Sequence, residues 1–341
     1  MEPGTANNLN PIRTAVVGLG FIGHRHAALL AHSAGVQLVA ACDVNPEKAQ
    51  GLPTGVDFYP ELETLLQTAR PDVLHICTPN HLHLSQAQAA LAAGCHVVIE
   101  KPMGLRHADC LRVVEQARAT RREVFVVMQN RYTPAAQWLK NLLDEGRMGR
   151  VLYAQVNCFW NRDERYYTPG SWRGQRKTDG GVLYTQFSHF VDTLYWLLGP
   201  LTDIQARMTR QRGRVEIEDT GVVQFGLPGG GQGTFQFSTA VWDQNLESSI
   251  TLLGEHGSVR VGGQYMNRVE ACHIENYTAP ELPEANPPNQ YGPYQGSAAN
   301  HSYVIANVIA TLRGQAQPYT PGEEGAEVVR LIEEMYRSAG L

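Results

Sequence analysis

Apolar, strand-like runs in the first part of the chain repeatedly end in glycine-rich or polar segments. These segments are residues 16–23, 41–43, 76–80, 99–102 and 126–131. In an open parallel sheet the carboxyl ends of the strands share one edge, and ligands bind in the crevice beside that edge. The sequence therefore predicts a single site, formed by several strand ends, for a dinucleotide and a reacting substrate.

Helical and strand patterns alternate up to about residue 130, which predicts a doubly wound parallel sheet of the Rossmann type. Beyond residue 131 strand patterns dominate, with one long helix expected over 181–198 and a loop over 278–297. We therefore expect an α/β protein with a Rossmann domain over 12–130. A C-terminal α/β domain over 131–320 is expected to be built on an open, mainly antiparallel sheet. A last helix within 321–341 is expected to pack back near the first domain.

The composition is that of a soluble globular enzyme. Of the 341 residues, 43% are hydrophobic and 18% charged, and the formal net charge is −5. Because no basic block stands out, nucleic-acid binding is not expected, and no apolar stretch is long enough to span a bilayer. The six cysteines are scattered without a CxxC pair, which favours a reducing, cytoplasmic location.

The motif Gly18-x-Gly20-x-x-Gly23 follows a predicted strand and opens a predicted helix, which is the context of dinucleotide binding. Glycines at these positions let the backbone approach a pyrophosphate, whose charge rests on the helix N-terminus. Asp43 ends the next strand, where a carboxylate accepts hydrogen bonds from the adenine-side ribose and repels a 2′-phosphate. NAD is therefore expected in preference to NADP.

Glu100-Lys101-Pro102 is the strongest catalytic candidate. A lysine at the end of a buried strand is uncommon unless it is paired or functional. Desolvation would lower its pKa toward the range that is useful for proton transfer. The alternative is a surface turn after the strand.

A second group of candidates lies in and before the predicted helix over 181–198. Thr185 and His189 are spaced i,i+4 and so share a face, with Asp192 near them. The alternative for His189 is a buried core histidine. Trp172 and Arg173, which precede the helix, are suited to stack on a polar substrate and to grip it.

The histidine pairs His24 and His26, and His81 and His83, do not indicate a metal site. No cysteine or carboxylate completes a recognisable set of ligands around them. The sequence therefore predicts no bound metal.

Taken together, the motifs resemble those of the glucose–fructose oxidoreductase, inositol dehydrogenase and rhizopine catabolism (Gfo/Idh/MocA) family. The resemblance runs from about residue 12 to the C-terminus and rests on residues 18–23, 77–83, 100–102 and 180–192. It implies NAD(P)-dependent chemistry on sugars or cyclitols. It also implies a C-terminal sheet that often forms the oligomer interface, so a homodimer or homotetramer is expected. Lys101 matches the family's catalytic lysine, and His189 its catalytic histidine.

Thr185 departs from the pattern of many family members, which carry an aspartate at that position. Members with an uncharged residue there include enzymes that oxidise nucleotide sugars at C3 of the hexose, and residues 172–190 are similar to that group. The chain is therefore predicted to transfer hydride between a secondary alcohol carbon of a sugar, with a nucleotide-linked hexose favoured, and nicotinamide. The alternatives are a free-sugar or cyclitol dehydrogenase and, in a different class, a non-catalytic NAD-binding regulatory protein.

These arguments assign residues to three roles. The predicted catalytic residues are Lys101, His189 and Thr185. The predicted cofactor-binding residues are Gly18, Gly20, Phe21, Ile22, Gly23, Asp43, Thr78, Pro79, Asn80, His83, Glu100, Lys101 and Gln129. The predicted substrate-binding residues are Arg131, Trp172, Arg173, Tyr184 and His189.

Overall fold

The first sheet of the protein is parallel and doubly wound. The computed structural model describes residues 10–213, 215–291 and 294–341. The strands of this sheet are β1 (Ile12–Val17), β2 (Val36–Cys42), β3 (Asp57–Tyr59), β4 (Val73–Ile76), β5 (His96–Ile99) and β6 (Val124–Val126). Their order is β3-β2-β1-β4-β5-β6, and all neighbouring strands are parallel. The order reverses between β1 and β4, where ligands bind in such sheets. The predicted Rossmann-type sheet is confirmed.

Helices cover both faces of this sheet. The first four are α1 (Phe21–Ala31), α2 (Leu62–Thr68), α3 (His83–Ala92) and α4 (His107–Thr120). Successive strand residues enter different apolar layers, because side chains alternate along a strand. Val16 is buried in the layer that contains Leu30 of α1, whereas Val17 belongs to the layer that contains Ala87 of α3 and Val113 of α4.

The last two helices, α9 (His301–Leu312) and α10 (Gly322–Ser338), return to the first sheet. Val304 and Val308 of α9 are buried with Val98 of β5 and Phe125 of β6, and α10 packs against α4 and β6. Helix α9 therefore packs with the first sheet although the boundary predicted at residue 320 assigns it to the second domain. An amphipathic pattern shows that a helix has a buried face, but not which surface covers it.

The second sheet is mainly antiparallel, as predicted. Its strands are β7 (Val151–Phe159), β8 (Thr202–Thr209), β9 (Thr220–Gly226), β10 (Gln232–Ser238), β11 (Glu247–Gly254), β12 (Gly257–Gly262) and β13 (Arg268–Ile274). The order is β13-β12-β11-β7-β10-β9-β8, and only β7 and β10 pair in parallel. Phe235 and Phe237 of β10 face the core, whereas Thr234 and Gln236 face outward and are half-buried.

Two short strands lie within the segment that was predicted as a loop over 278–297. They are β14 (Pro288–Gln290) and β15 (Gln295–Ala298), which pair antiparallel. No strand was predicted at β13 either, and most of its residues are exposed. Among the residues that the structure describes, no helix has the length and apolar character needed to cross a membrane.

The predicted helix over 181–198 is broken in two, so this prediction is wrong in detail. The helices of the second domain are α5 (Pro134–Asp144), α6 (Arg176–Asp179), α7 (Val182–Thr185) and α8 (Ser188–Leu198). At the break, Gln186 Oε1 accepts a hydrogen bond from Arg162 Nε at 2.6 Å, and Phe187 is fully buried beside Phe235 and Phe237. These tertiary contacts outweigh the helical continuity that the sequence pattern favours.

Candidate active site

The three glycines after β1 lack a side chain for different physical reasons. Gly18 has φ +86°, and a Cβ there would lie 2.7 Å from the carbonyl carbon of Cys77. A Cβ on Gly23 would lie 1.8 Å from the carbonyl oxygen of Gly18. Gly20 has φ −75°, which any residue adopts, and nothing lies within 4 Å of its Cβ position. The fold therefore requires the first and third glycines, while the second leaves open space at the N-terminus of α1, where a pyrophosphate fits.

The carboxylate of Asp43 is fixed at the end of β2. Leu19 N–H donates to Oδ2 at 2.7 Å, and Asn45 N–H donates to Oδ1 at 2.9 Å. Each oxygen keeps acceptor capacity for a ribose hydroxyl, since a carboxylate oxygen has two lone pairs. At the start of α1 Phe21 is exposed and Ile22 is half-buried. The open space at the glycine turn and this fixed acid are the features that a dinucleotide requires.

Side-chain contacts hold the segment that follows β4. Thr78 Oγ1 donates to Gln86 Oε1 at 2.6 Å. Pro79 keeps an extended backbone, with φ −58° and ψ 145°. The ring of His83 lies between two carbonyl oxygens, 2.8 Å from that of Thr78 and 2.7 Å from that of Pro102. Burial lowers the pKa of His83. The histidine thus connects this segment to the turn after β5.

The amine of Lys101 is part-buried and contacts the second domain. Its Nζ donates to the Thr185 carbonyl oxygen at 2.6 Å. Burial lowers the pKa of Lys101 to about 8, because desolvation disfavours the ammonium form. The charges that change this pKa further are, largest first, Glu100 (raising), Arg162 (lowering), Asp179 (raising) and Arg173 (lowering). An amine with this pKa can both accept and return a proton near neutral pH.

His189 lies in the first turn of α8 and is 2% exposed. Its Nδ1 has no hydrogen-bond partner among the described residues. Burial lowers the pKa of His189 well below its usual value, and the charge of Lys101 lowers it further. The ring is therefore neutral and near enough to the lysine to sense its charge.

Thr185 and Asn80 join Asp179 in a buried network. The Thr185 hydroxyl donates to Asp179 Oδ1. Asn80 Nδ2 donates to Thr185 Oγ1 at 2.9 Å and to the Asp179 carbonyl at 2.8 Å. Gly174 N–H donates to the other carboxylate oxygen at 2.7 Å. Burial raises the pKa of Asp179 to about 6, although these hydrogen bonds act to lower it. Sequence reasoning missed Asp179, whose only signal was an acid beside the Gly180-Gly181 turn.

The carboxylate of Glu100 points into a cluster of histidines behind the lysine. His26 Nε2 lies 3.0 Å and His301 Nε2 3.4 Å from Glu100 Oε1, and His75 Nδ1 lies 3.0 Å from His26 Nδ1. Burial would raise the pKa of Glu100, but its interactions with His26 and His301 hold it well below its usual value. The Glu100 carboxylate therefore faces the protein interior, behind Lys101.

Three members of this cluster are also spaced like metal ligands. The ligand atoms of His26, Glu100 and His301 lie within 4.8 Å of one another. Sequence reasoning expected no ligand set around His26, because sequence proximity could not show that His301 lies beside it. The separation of His26 from Glu100 is that of a hydrogen bond, whereas His301 Nε2, at 3.4 Å, has no hydrogen-bond partner among the described residues.

Arg131 was predicted to bind substrate, but the structure gives it an internal role. Its Nε and Nη2 donate to both carboxylate oxygens of Asp192, and Nη1 donates to Glu324. The side chain is 1% exposed, so its charge is already paired inside the protein. Gln129, predicted to bind cofactor, is buried at the same strand end, and its carbonyl accepts from Asn300 Nδ2 at 3.2 Å.

The remaining predicted substrate residues lie in different surroundings. The Arg173 guanidinium lies 4.8 Å from the ring centre of Tyr166 and 5.1 Å from that of Trp172. Arg173 is also one of the charges that lower the pKa of Lys101. Tyr184, by contrast, is buried and stacked on Tyr336 of α10, with its hydroxyl directed to a backbone carbonyl at 3.3 Å. Tyr184 therefore belongs to the packing between α7 and α10.

Sequence reasoning also missed Arg162, which follows β7 and is 3% exposed. Its guanidinium lies 4.8 Å from the ring centre of Trp160 and 5.2 Å from that of Tyr294. It donates to neutral oxygens, among them those of Gln186 and Asn245. No carboxylate pairs with it among the described residues. The available signal was a polar pair, Asn161-Arg162, at the end of a strand.

Comparison with known proteins identifies the family. Residues 12–128 match the oxidoreductase family with an NAD-binding Rossmann fold, and residues 136–260 match the GFO/IDH/MocA C-terminal domain. The chain belongs to the Gfo/Idh/MocA oxidoreductase family. The resemblance inferred from its motifs is confirmed.

Two solved Gfo/Idh/MocA structures are similar over nearly the whole chain. The WlbA dehydrogenase from Bordetella pertussis, in complex with NADH and UDP-GlcNAcA, is 36% identical with a TM-score of 0.86, covering 97% of each chain. The WlbA dehydrogenase from Chromobacterium violaceum, in complex with the same two ligands, is 34% identical with a TM-score of 0.88. That match covers 100% of this chain and 97% of the other.

Among curated Gfo/Idh/MocA relatives, inositol 2-dehydrogenase from Salmonella typhimurium is 31% identical over 194 residues. That match covers 55% of this chain and 54% of the relative. The chain thus spans about half the length of this relative. Another curated relative is also matched over 54% of its own length.

Proposed function

We propose that this protein is an NAD-dependent oxidoreductase that transfers hydride between nicotinamide and C3 of the hexose of a nucleotide sugar. The observation that carries the proposal is the position of Lys101. Its amine, with a pKa of about 8, lies where strand ends of the parallel sheet meet the second domain. An amine at this strand end would supply the proton-transfer group of a site formed at the shared edge of the parallel sheet.

The cofactor side of the proposal rests on the glycine turn and the fixed acid. The free space at Gly20 and the carboxylate of Asp43 fit a pyrophosphate and an unphosphorylated ribose. Bound NAD⁺ would accept a hydride from the substrate carbon. Asp43 would repel the additional phosphate of NADP, which favours NAD.

The protein's own contribution to the reaction is proton transfer. In the direction of oxidation, neutral Lys101 takes the hydroxyl proton, while the carbon–hydrogen bond gives up its hydride and the carbon–oxygen double bond forms. The Thr185 carbonyl, 2.6 Å from Nζ, orients the amine. Neutral His189, with its free Nδ1, is the partner or alternate base.

The two guanidinium groups near Lys101 favour an anionic substrate. Arg162 has no carboxylate partner among the described residues, and both Arg162 and Arg173 lower the pKa of Lys101. A diphosphate or a sugar acid would compensate these guanidinium groups. The two WlbA structures, which are similar over 97% or more of this chain, bind UDP-GlcNAcA. These observations favour a nucleotide sugar over a free sugar or cyclitol.

The test is substitution of Lys101 together with a panel of substrates. We expect wild-type protein to reduce NAD⁺ with UDP-linked hexoses and much less with free glucose or inositol, followed by the absorbance of reduced nicotinamide. Lys101→Ala should lower kcat by about 10²–10⁴-fold, the usual contribution of a general acid–base group. NADH affinity, measured by calorimetry, should be retained.

Three outcomes would contradict the proposal. Near-normal turnover in Lys101→Ala would remove the lysine from its role. Preferred oxidation of inositol or a free sugar would favour the cyclitol or free-sugar alternative. NADH binding without turnover on any member of the panel would favour a non-catalytic regulatory protein.

A further inference from the structure

Thr185 occupies a position where many relatives in the family place an aspartate, so the site lacks a charge at that residue. The Thr185 hydroxyl nevertheless donates a hydrogen bond to a carboxylate oxygen, Asp179 Oδ1. Asp179 ends α6 and is fully buried. Burying a carboxylate costs free energy. A buried carboxylate that accepts a hydrogen bond from a predicted catalytic residue therefore calls for a functional explanation.

We infer that Asp179 supplies the missing carboxylate of the site, acting on Lys101 through Thr185. It is a positioning residue, because none of its hydrogen bonds among the described residues is to the lysine. The inference rests on the proposed function, since it concerns the acid–base role of Lys101.

The hydrogen bonds direct the hydroxyl proton toward Asp179. Asn80 Nδ2 donates to Thr185 Oγ1 at 2.9 Å, so this oxygen is already an acceptor from the amide. Its own hydrogen points to Asp179, whose Oδ1 is much nearer than its carbonyl oxygen at 3.3 Å, and the second carboxylate oxygen accepts from Gly174 N–H at 2.7 Å. The Thr185 carbonyl is held in the same segment and accepts from Lys101 Nζ at 2.6 Å.

The same carboxylate acts on the lysine through its charge. Asp179 is one of the two acids that raise the pKa of Lys101, and it opposes the lowering by burial and by Arg162 and Arg173. The other titratable or charged groups that interact with Lys101 or Asp179 are Glu100, His83, His189, Tyr166 and Tyr167. Since the pKa of Asp179 is about 6, the acid is ionised where the lysine must change its protonation state.

Lys101 and Asp179 each have one task in the proton transfer. Oxidation of one alcohol delivers one proton to neutral Lys101, and Asp179 stays ionised throughout. Its negative charge stabilises the ammonium that forms and so keeps the pKa of the lysine from falling further. Loss of this charge should leave an amine with a lower pKa, which holds the transferred proton less well.

The experiment compares pH profiles of Asp179→Asn and wild type. The apparent pKa on the rising limb of kcat/KM for oxidation should fall by about 1 pH unit, the low end of the effect of one nearby charge. Competitive acetylation of Lys101, followed by mass spectrometry without substrate, should give the same shift in its reactivity. This second readout does not depend on turnover.

A matched control separates charge from structure. Glu218 is another buried carboxylate that anchors the same segment, accepting from Val182 N–H at 2.8 Å. Glu218→Gln should lower stability without moving the pKa of Lys101. In the double variant Asp179→Asn with Thr185→Asp, a carboxylate returns at residue 185, and the pKa of Lys101 should recover.

An unchanged Lys101 pKa in Asp179→Asn, or an equal shift in Glu218→Gln, would overturn the inference while leaving the proposed function intact. If Asp179→Asn does not fold, Thr185→Val replaces it. Loss of the hydroxyl should then raise the pKa of Asp179 and move the acidic inflection of the kcat/KM profile to higher pH, and an unmoved inflection would refute the coupling. A wild-type enzyme that oxidises no sugar would refute the proposed function instead, and the labelling experiment would still report on Asp179.

Discussion

Gly20 is the residue at which folding and cofactor binding make separate demands. Its backbone conformation is open to any residue, and a Cβ there meets nothing within 4 Å. Gly23, in the same turn, has no such freedom because its Cβ would overlap the Gly18 carbonyl oxygen. If the turn binds a pyrophosphate, Gly20 should tolerate an added methyl group in the free protein but not in the complex with the cofactor.

We therefore expect Gly20→Ala to keep the wild-type free energy of unfolding and to lose NADH affinity by about tenfold, or 1.4 kcal/mol. Calorimetric titration and urea unfolding measure the two quantities. Gly23→Ala is the matched control and should lose stability by about 1–3 kcal/mol through overpacking. Wild-type NADH affinity in Gly20→Ala would show that the cofactor does not approach this turn.

The sequence was informative about those residues whose chemistry is unusual for their position. Lys101 is a charged residue at a buried strand end, and His189 lies on an apolar helix, so both could be predicted. Asp179 and Arg162 could not, because their importance comes from contacts with Thr185 and with aromatic rings that are distant in the chain. The ion pairs of Arg131, which was predicted to bind substrate, could not be foreseen for the same reason, since its partners Asp192 and Glu324 lie on α8 and α10.

Arg131 also shows how separate elements are joined around the site. It follows β6 and connects the start of the second domain to α8 and α10 through two ion pairs. The Arg131 and Asp192 side chains are each 1% exposed. A buried charge whose partner is removed costs several kcal/mol, whereas removing both charges costs much less.

Asp192→Ala should therefore lower the free energy of unfolding by about 3–5 kcal/mol. The double variant with Arg131→Met should be more stable than Asp192→Ala alone, because it removes a buried guanidinium that would keep only Glu324 as its partner. Denaturant unfolding measures both, and NADH titration of the folded variants should give affinities near wild type. A loss below about 1 kcal/mol in Asp192→Ala would be the value of an exposed pair and would contradict the internal role of Arg131.

At the level of elements, periodic sequence patterns predicted the strands and helices that bury a regular apolar face. The first sheet and most strands of the second were predicted on this basis. The pattern failed where tertiary contacts override local preference, as at Gln186 and Phe187 between α7 and α8. It also failed for β13, whose apolar residues Val269, Ala271 and Cys272 remain at least partly exposed.

The whole molecule presents one wide surface that its own helices leave open. On the outer face of the second sheet, Tyr153 and Gln155 of β7 lie beside Thr234 of β10 and Thr251 of β11, and all are half-buried rather than covered. We expect two copies of the chain to associate through this face, which would be an isologous contact in a symmetric pair.

Gln155→Arg tests this association, because an isologous interface would bring two added charges together. Size-exclusion chromatography with light scattering should show a dimer or tetramer for wild type and a smaller species for the variant. Gln67→Arg, the same substitution at an exposed position on α2, should leave the assembly unchanged. A monomeric wild type at micromolar concentration, or an unaffected Gln155→Arg assembly, would argue against this face.

The return of α9 and α10 to the first sheet has a consequence for biosynthesis. Val98 and Phe125 lie against α9, which begins at residue 301. During translation, α9 thus covers a sheet that is made before it, and a nascent chain stalled before residue 301 exposes an apolar surface to solvent. Such incompletely covered surfaces aggregate or recruit chaperones, so ribosome-bound fragments of this protein that lack α9 and α10 should be chaperone clients.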